Sequence, residues 1–354
     1  MSHYNISLLL MIKKPILKAL HGKKLAPPPV WIMRQAGRYL PEYRKIRKKF
    51  DFLTLCFQPE LICEVTLQPL KRFALDAAIL FSDILIPLIP MGMKLRFDNN
   101  QGPVFENPVQ NRRDINRLKE TPGEECGFVG QALKLIQKEL PENAALLGFC
   151  GAPFTLASYM VEGAASNKFL KIKAMIHRQP QAYAALMEKL VKATISYLNM
   201  QMDNGAEAIQ IFDSWAGRLA PKDYKEFAHP YSRRIIDYVE GKNVPVIHFA
   251  KGGVKILPVL NQSKASGIGI SWEVSMQQAA GQIEPAKCLQ GNLNPAVLLE
   301  CRDTVAVHTE KILQTMSSLP HPHIFNLGHG ILPETPIENV RVMLDTVRNF
   351  KSDL

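Results

Sequence analysis

The sequence predicts an α/β chain folded as a single-domain (β/α)8 TIM-type barrel, with its cleft at the C-terminal ends of the strands. Three observations carry this. Eight short apolar runs alternate with helical patterns along the 354 residues. The runs lack the apolar–polar alternation of a half-exposed sheet, so both faces should be buried, as in a parallel sheet. Reactive residue types follow run after run, which a barrel would gather on one rim. A doubly wound open sheet is the alternative, and the placement of those residues favours the barrel.

The eight runs are Val30–Met33, Ala77–Ser82, Leu146–Cys150, Ala208–Phe212, Pro245–Phe249, Gly267–Ser271, Cys288–Gly291 and His323–Gly328. An amphipathic stretch from Pro59 to Phe73 and another at Glu124–Leu140 read as helices. Pro180 opens a long helix that Gly205 stops, and Pro221 opens one that Gly241 stops, following the preference for Pro at helix starts and Gly past their ends. Pro295–Gln314 and Pro336–Phe350 complete the set. Met93–Phe97 and Pro103–Glu106, joined through Asp98-Asn-Asn-Gln-Gly, predict a hairpin inserted after the second strand. Residues 1–12 are expected to form a flexible extension and residues 13–354 one catalytic domain, with Met11 an alternative start.

The formal charge of +11 is concentrated in one place. Residues 13–72 carry 14 Lys/Arg against four acids, which accounts for +10 of it. That asymmetry predicts a basic site for an anionic partner near the N-terminal third. Six cysteines without a Cys-x-x-Cys pair fit a reduced, cytoplasmic protein without a zinc ribbon. The seven-residue apolar run Ile6–Ile12 is too short to span a membrane.

Five segments could carry chemistry. In Pro29-Val-Trp-Ile-Met-Arg-Gln-Ala-Gly-Arg-Tyr-Leu-Pro-Glu-Tyr43, a turn of helix would put Arg34 and Arg38 on one side. Two guanidinium forks suit a substrate with several carboxylates. Gly37 would let a ligand approach the backbone. An ordinary basic helix start is the competing reading, and Arg47 stays open as a third contact. Asp83, in Phe81-Ser-Asp, is either a helix cap or a site residue. In Gly148-Phe-Cys-Gly-Ala-Pro-Phe-Thr-Leu-Ala-Ser-Tyr, Tyr159 faces the same way as Thr155, no phosphate-loop pattern is present, and Cys150 reads as core. Ser214, in Phe212-Asp-Ser-Trp-Ala-Gly, sits at a strand end outside any hydrolase elbow. His329, between two glycines in Asn326-Leu-Gly-His-Gly, is placed either for contact or for bonding its own loop.

Taken together, these segments resemble the uroporphyrinogen decarboxylase family over roughly residues 15–350. The first and third match its two signature segments almost residue for residue, and the Arg-Gln-Ala-Gly-Arg stretch is highly specific. The resemblance implies a cofactor-free, metal-free (β/α)8 enzyme of cytosolic haem synthesis, usually a homodimer. It would remove CO2 from the four acetate arms of uroporphyrinogen III to give coproporphyrinogen III. It also implies that Arg34, Gln35, Ala36, Gly37, Arg38, Asp83, Tyr159, Phe212, Ser214 and His329 line the cleft, with Asp83, Arg34, Tyr159 and His329 closest to catalysis. Two positions depart from the family pattern, since Asn294 and Ser271 stand where Asp is usual. Both departures bear on local loop structure.

The chemistry agrees with the resemblance. The substrate carries eight carboxylates, which suits the basic segment. An ionised carboxylate offers about four lone-pair sites, so Asp83 could accept all four pyrrole N–H groups. It would then stabilise the cation formed when a pyrrole carbon is protonated. The acid stays open among Arg34, whose guanidinium pKa above ~12 makes it an awkward donor, Tyr159, His329 and water. A zinc-dependent methyltransferase on the same barrel would need a thiolate-rich ligand set, and neither His248-Phe-Ala-Lys251 nor Asn326-Leu-Gly-His329 contains a Cys. Nucleic-acid binding lacks a recognition motif beside the basic charge.

Overall fold

The computed structural model describes residues 13–98, 102–166 and 168–351. The expected extension at residues 1–12, the choice between Met1 and Met11, and the turn of the hairpin at 99–101 lie outside them. Seven strands form one parallel sheet: β1 (Ala77–Ile79), β4 (Ala145–Gly151), β5 (Ala208–Asp213), β6 (Val246–Ala250), β7 (Gly267–Gly269), β8 (Cys288–Leu293) and β9 (His323–Leu327), adjacent in that order. The antiparallel pair β2 (Leu95–Asp98) and β3 (Gly102–Phe105) is the predicted hairpin, with Leu95 opposite Phe105. All seven residues of β4 are buried, as expected of a strand covered on both faces.

The sheet is strongly curled. The Gln290 carboxamide on β8 donates to Gln210 Oε1 on β5 at 3.1 Å. These strands are three places apart, which in a flat sheet is about 14 Å. The two amides can therefore meet only across the inside of the curl. Trp31 joins the chain, its indole N–H donating to Gln290 Oε1 at 2.8 Å. This buried polar string is satisfied partner by partner, which keeps its burial affordable.

The first predicted strand, Val30–Met33, is not a strand. Its only ladder contact is a parallel bridge from Val30 to Phe325. Side chains take the N–H groups that a ladder would use. Val30 N–H goes to Asp76 Oδ2 at 2.7 Å, Ile32 N–H to Gln35 Oε1 at 3.0 Å and Met33 N–H to Asn326 Oδ1 at 2.8 Å. The preceding prolines have no N–H to offer. The segment still lies between the two ends of the sheet. Phe325 N–H donates to Pro29 O at 2.8 Å and Asp76 N–H to Val30 O at 2.9 Å.

The helices fall where the punctuation placed them, with three corrections. The stretch expected at Pro295–Gln314 is a 3-10 turn at Pro295–Leu299 followed by a helix at Arg302–Ser317. The stretch from Pro221 to Glu240 is divided by a π-helical segment at Tyr224–Ala228. Pro230, without an N–H, enters just after it and cannot sustain the regular ladder there. The stretch expected at Glu124–Leu140 is two helices, Pro122–Glu125 and Gly127–Glu139. No helix among the described residues is long and apolar enough to cross a membrane.

Candidate active site

Arg34 and Arg38 do not share a helical turn. Residues 33–40 form irregular turns, and the helix begins only at Pro41. Arg34 has a left-handed backbone, φ 65°. Its conformation is held from both sides, because Met33 N–H is bound to Asn326 and Ile331 N–H donates to Met33 O at 2.9 Å. Both arginine side chains are exposed. Gly37 serves this turn rather than a ligand, since a Cβ there would stand 2.9 Å from Arg34 O. Gln35 is fully buried, and its amide nitrogen donates to Ala77 O at 2.9 Å while its oxygen accepts from Ile32. Its side chain therefore braces the loop instead of facing the cleft. Ala36 is half-buried beside it.

Asp83 lies four residues past β1. Its Oδ1 accepts from Leu85 N–H at 2.9 Å, a local bond that closes the chain just before the short turn at Ile86–Leu88, whose cap position is Leu85 and not Asp83. Its other oxygen has no protein hydrogen bond and its carboxylate no ion pair among the described residues. Burial raises its pKa, opposed by the Leu85 hydrogen bond and by the Arg34 charge. Such a carboxylate, deep yet still reached by solvent, is free to accept N–H donors. Arg47 is more removed. Its guanidinium donates to Phe50 O at 2.5 Å, and the Cys56 thiol lies in the fields of both Asp83 and Arg47.

Tyr159 comes from the helix Pro153–Glu162 after β4, where Pro153 takes the first turn. Burial and then the Asp83 charge push its pKa up to about 12, so the phenol keeps its proton at neutral pH. Its ring lies 5.7 Å from that of Trp215. Thr155, one turn earlier, is fully buried and does not reach the cleft. It donates to Asp213 Oδ1 at 2.8 Å and accepts from Trp215 N–H at 3.2 Å, while Tyr224 O–H donates to Asp213 Oδ2 at 3.0 Å. This brace fixes the turn that presents half-buried Ser214. Burial raises Asp213 to about 6 despite the two hydroxyl donors. Phe212 packs between Phe149 and Phe249, at 5.9 and 6.4 Å.

His329 follows β9 and stands edge-on to Trp272 at 5.8 Å and to Phe249 at 6.2 Å. Burial, then the charges of Arg34 and Lys251, lower its pKa to about 4. At neutral pH it is an uncharged imidazole. Asp83, Tyr159 and His329 each lie in the field of Arg34, which brings the four residues into one neighbourhood. The supporting residues Trp215, Trp272 and Asp213 were within reach of the motifs but carried no signal separating brace from contact. Asn292, near the end of β8, does not face the rim, because it is buried and donates to Ser271 O and Val274 O at 3.1 and 2.6 Å. Both unusual positions remain structurally sound. Asn294 caps its turn through Ala296 N–H at 3.0 Å, as an Asp would, and Ser271 supplies its carbonyl to Asn292. Cys150 is buried, with its thiol pushed up by burial. A cavity of about 300 Å³, lined among others by Lys24, Pro28, Leu313 and His323, lies at the other end of the strands.

Among the described residues, no three His, Cys, Asp or Glu side chains come together as a metal site. A family model described as uroporphyrinogen decarboxylase matches residues 11–350. The uroporphyrinogen decarboxylase of Geobacter metallireducens is 47% identical over 335 residues, covering 94% of this chain and 98% of the relative. That of Carboxydothermus hydrogenoformans is 42% identical over 337 residues, covering 95% and 96%. Among solved structures, a methyltransferase from Methanosarcina mazei superposes with a TM-score of 0.75 at 21% identity, over 95% of this chain and 98% of that one. At that identity the likeness concerns the fold.

Proposed function

The chain belongs to the uroporphyrinogen decarboxylase family, and from that membership we propose how its cleft performs the reaction. The enzyme is a carboxy-lyase of tetrapyrrole biosynthesis, converting uroporphyrinogen III to coproporphyrinogen III with release of four CO2. The observation that carries the site assignment is the partly accessible Asp83 carboxylate, which makes no ion pair among the described residues and lies in the field of the exposed Arg34. The four pyrrole N–H groups converge on Asp83. Arg34 orients the reacting acetate, and Arg38 holds other carboxylates. A pyrrole carbon takes a proton, the resulting cation accepts the electron pair as CO2 leaves, a second proton goes to the exocyclic methylene that carried the carboxyl group, and the ring carbon gives up its proton to restore the pyrrole. Asp83 stabilises the cation electrostatically in a site that needs no reorganisation.

The pKa directions separate the two candidate proton carriers. Tyr159 retains its O–H at neutral pH and acts as a hydrogen-bond donor. His329 is neutral there and cannot serve as an imidazolium acid, so its part is to hydrogen-bond the substrate. Ser214 adds a hydroxyl, Phe212 and Ala36 shape the wall, and Gly37 permits the turn that carries Arg34. Gln35 acts through the loop it braces. Arg47 is an outer contact. Anaerobic incubation with uroporphyrinogen III, followed by chromatography of the oxidised products, tests the reading. Seven-, six- and five-carboxylate intermediates should accumulate before the four-carboxylate product, and unchanged substrate would overturn it.

Two expectations follow from these roles. Arg38→Ala should raise KM about 10- to 100-fold, since a charge-assisted hydrogen bond is worth about 1.5–3 kcal/mol. Steady-state kinetics checks this, and unchanged KM and kcat would remove Arg38 from the site. Turnover is also expected to survive exhaustive chelation, because we read the reaction as cofactor-free. A loss restored by added metal would contradict that reading. We further take residues 13–354 as one catalytic domain whose curled sheet closes into an eight-stave barrel through Pro29–Trp31, supported by the hydrogen bonds to Phe325 and Asp76. A cytoplasmic homodimer is the expected state, to be checked by fractionation and sedimentation.

A further inference from the structure

We propose that Lys251 is a substrate-binding residue that grips a carboxylate of the macrocycle from the side of the cleft facing the arginine loop, an assignment that rests on the polycarboxylate reading above. Lys251 immediately follows β6, the middle strand of the seven. Arg34 and Arg38 lie in the loop beside β9 and β1, where the two ends of the curled sheet come together. In a curled sheet the middle strand faces that seam. A macrocycle whose ring nitrogens meet Asp83 presents carboxylates all around its edge, and cations on one side alone would leave the far arms unmatched.

The Lys251 ammonium is placed for such a contact and otherwise unoccupied. The residue is half-buried, and Nζ sits 5.0 Å from the centroid of the Trp272 ring. That ring stands edge-on to His329. Among the described residues, Nζ makes neither an ion pair nor a hydrogen bond. Among the other lysines shielded from solvent, Lys18 and Lys173 on helix surfaces likewise show no side-chain partner among the described residues, whereas three are paired. Lys14 pairs with Glu207 at 2.7 Å, Lys189 donates to Leu118 O at 2.6 Å, and Lys287 donates to Asn261 O and Ser263 O at 2.6 and 2.7 Å. A partly desolvated cation without a counterion is costly unless a ligand supplies one. The backbone beneath it is fixed. Lys251 N–H donates to Asp213 O at 3.2 Å, and Lys251 O accepts from Gly217 N–H at 2.6 Å. A Cβ on Gly217 would stand 2.6 Å from that same oxygen, so the glycine permits the close approach of the two loops.

The test is steady-state kinetics of Lys251→Gln and Lys251→Arg with uroporphyrinogen III, with thermal melts of each. Lys251→Gln should melt as the wild type does and raise KM about 10- to 100-fold, with a smaller change in kcat. Lys251→Arg, which keeps the charge, should recover most of that loss. An active wild type with an unchanged KM for Lys251→Gln would overturn the proposal alone, as would an arginine variant no better than the glutamine one. A wild type inert toward uroporphyrinogen III would instead overturn the reading on which the proposal rests.

Discussion

An Asp83→Asn variant is expected to fold like the wild type and to lose turnover by at least about 10²–10³-fold, the range found when one preorganised electrostatic contact to a transition state is removed. Two losses act in the same direction. The carboxamide has one acceptor oxygen in place of two, and its NH2 group would point donors at the pyrrole N–H groups. It also lacks the charge that balances the cation formed when the ring is protonated. Stability should not fall with activity. Burial raises the folded-state pKa of Asp83, so its stabilising contribution is present at low pH and lost as pH rises through that pKa. At neutral pH the ionised carboxylate therefore burdens the folded state. The Asn side chain keeps an acceptor for Leu85 N–H, so the variant should melt at the wild-type temperature or above it. Anaerobic turnover measured beside a thermal melt checks both halves. A wild-type rate would show that Asp83 is not the central carboxylate.

The sequence carried the strand ends better than the strands. Seven of the eight runs are strands because an apolar stretch of four to six residues, bounded by turn-formers, has little else to do in a chain of this kind. Val30–Met33 has the same composition and fails. Its N–H groups are captured by Asp76, Gln35 and Asn326, two of which lie more than forty residues away along the chain. No local pattern encodes that competition. Helix ends were legible through Pro and Gly, whereas the interruption at Tyr224–Ala228 depended on one proline inside an otherwise regular stretch.

For the proposed site, residue type and position at a predicted strand end nominated Arg34, Asp83, Tyr159, Ser214 and His329, and the family resemblance implied their place in the cleft. They could not distinguish a side chain that faces the cleft from one that braces it. Gln35 occupies a motif position, Asn292 lies at a strand end, and both are bound to the backbone of neighbouring segments. Lys251 lies two residues past the predicted run Pro245–Phe249, but its lack of a partner among the described residues is visible only in three dimensions. The four-residue spacing of Arg34 and Arg38 suggested a helical turn that the left-handed backbone at Arg34 does not allow.

Gly330→Ala provides the sharpest test of how Arg34 is held. Gly330 is not among the residues with positive φ, so alanine fits its backbone without strain. The obstacle is Arg34. A Cβ on Gly330 would collide with Arg34 Cδ and lie 2.9 Å from Cγ and Nε. The Arg34 backbone is pinned through Met33 on both sides, so only its side chain can yield. The guanidinium should move by an ångström or more, and misplacement on that scale costs on the order of 10²-fold in rate. The melting temperature should change little, because an exposed side chain has room to swing. Gly328→Ala is the contrasting control. There the new Cβ meets the backbone nitrogen of Trp272, which cannot swing aside, so that variant should lose stability first. A cycle with Arg34→Ala completes the argument. If Gly330 acts only by leaving space for Arg34, the double variant should be no slower than Arg34→Ala alone. Additive losses would mean that Gly330 has a role of its own, and a wild-type rate for Gly330→Ala would mean that the position of Arg34 is not critical.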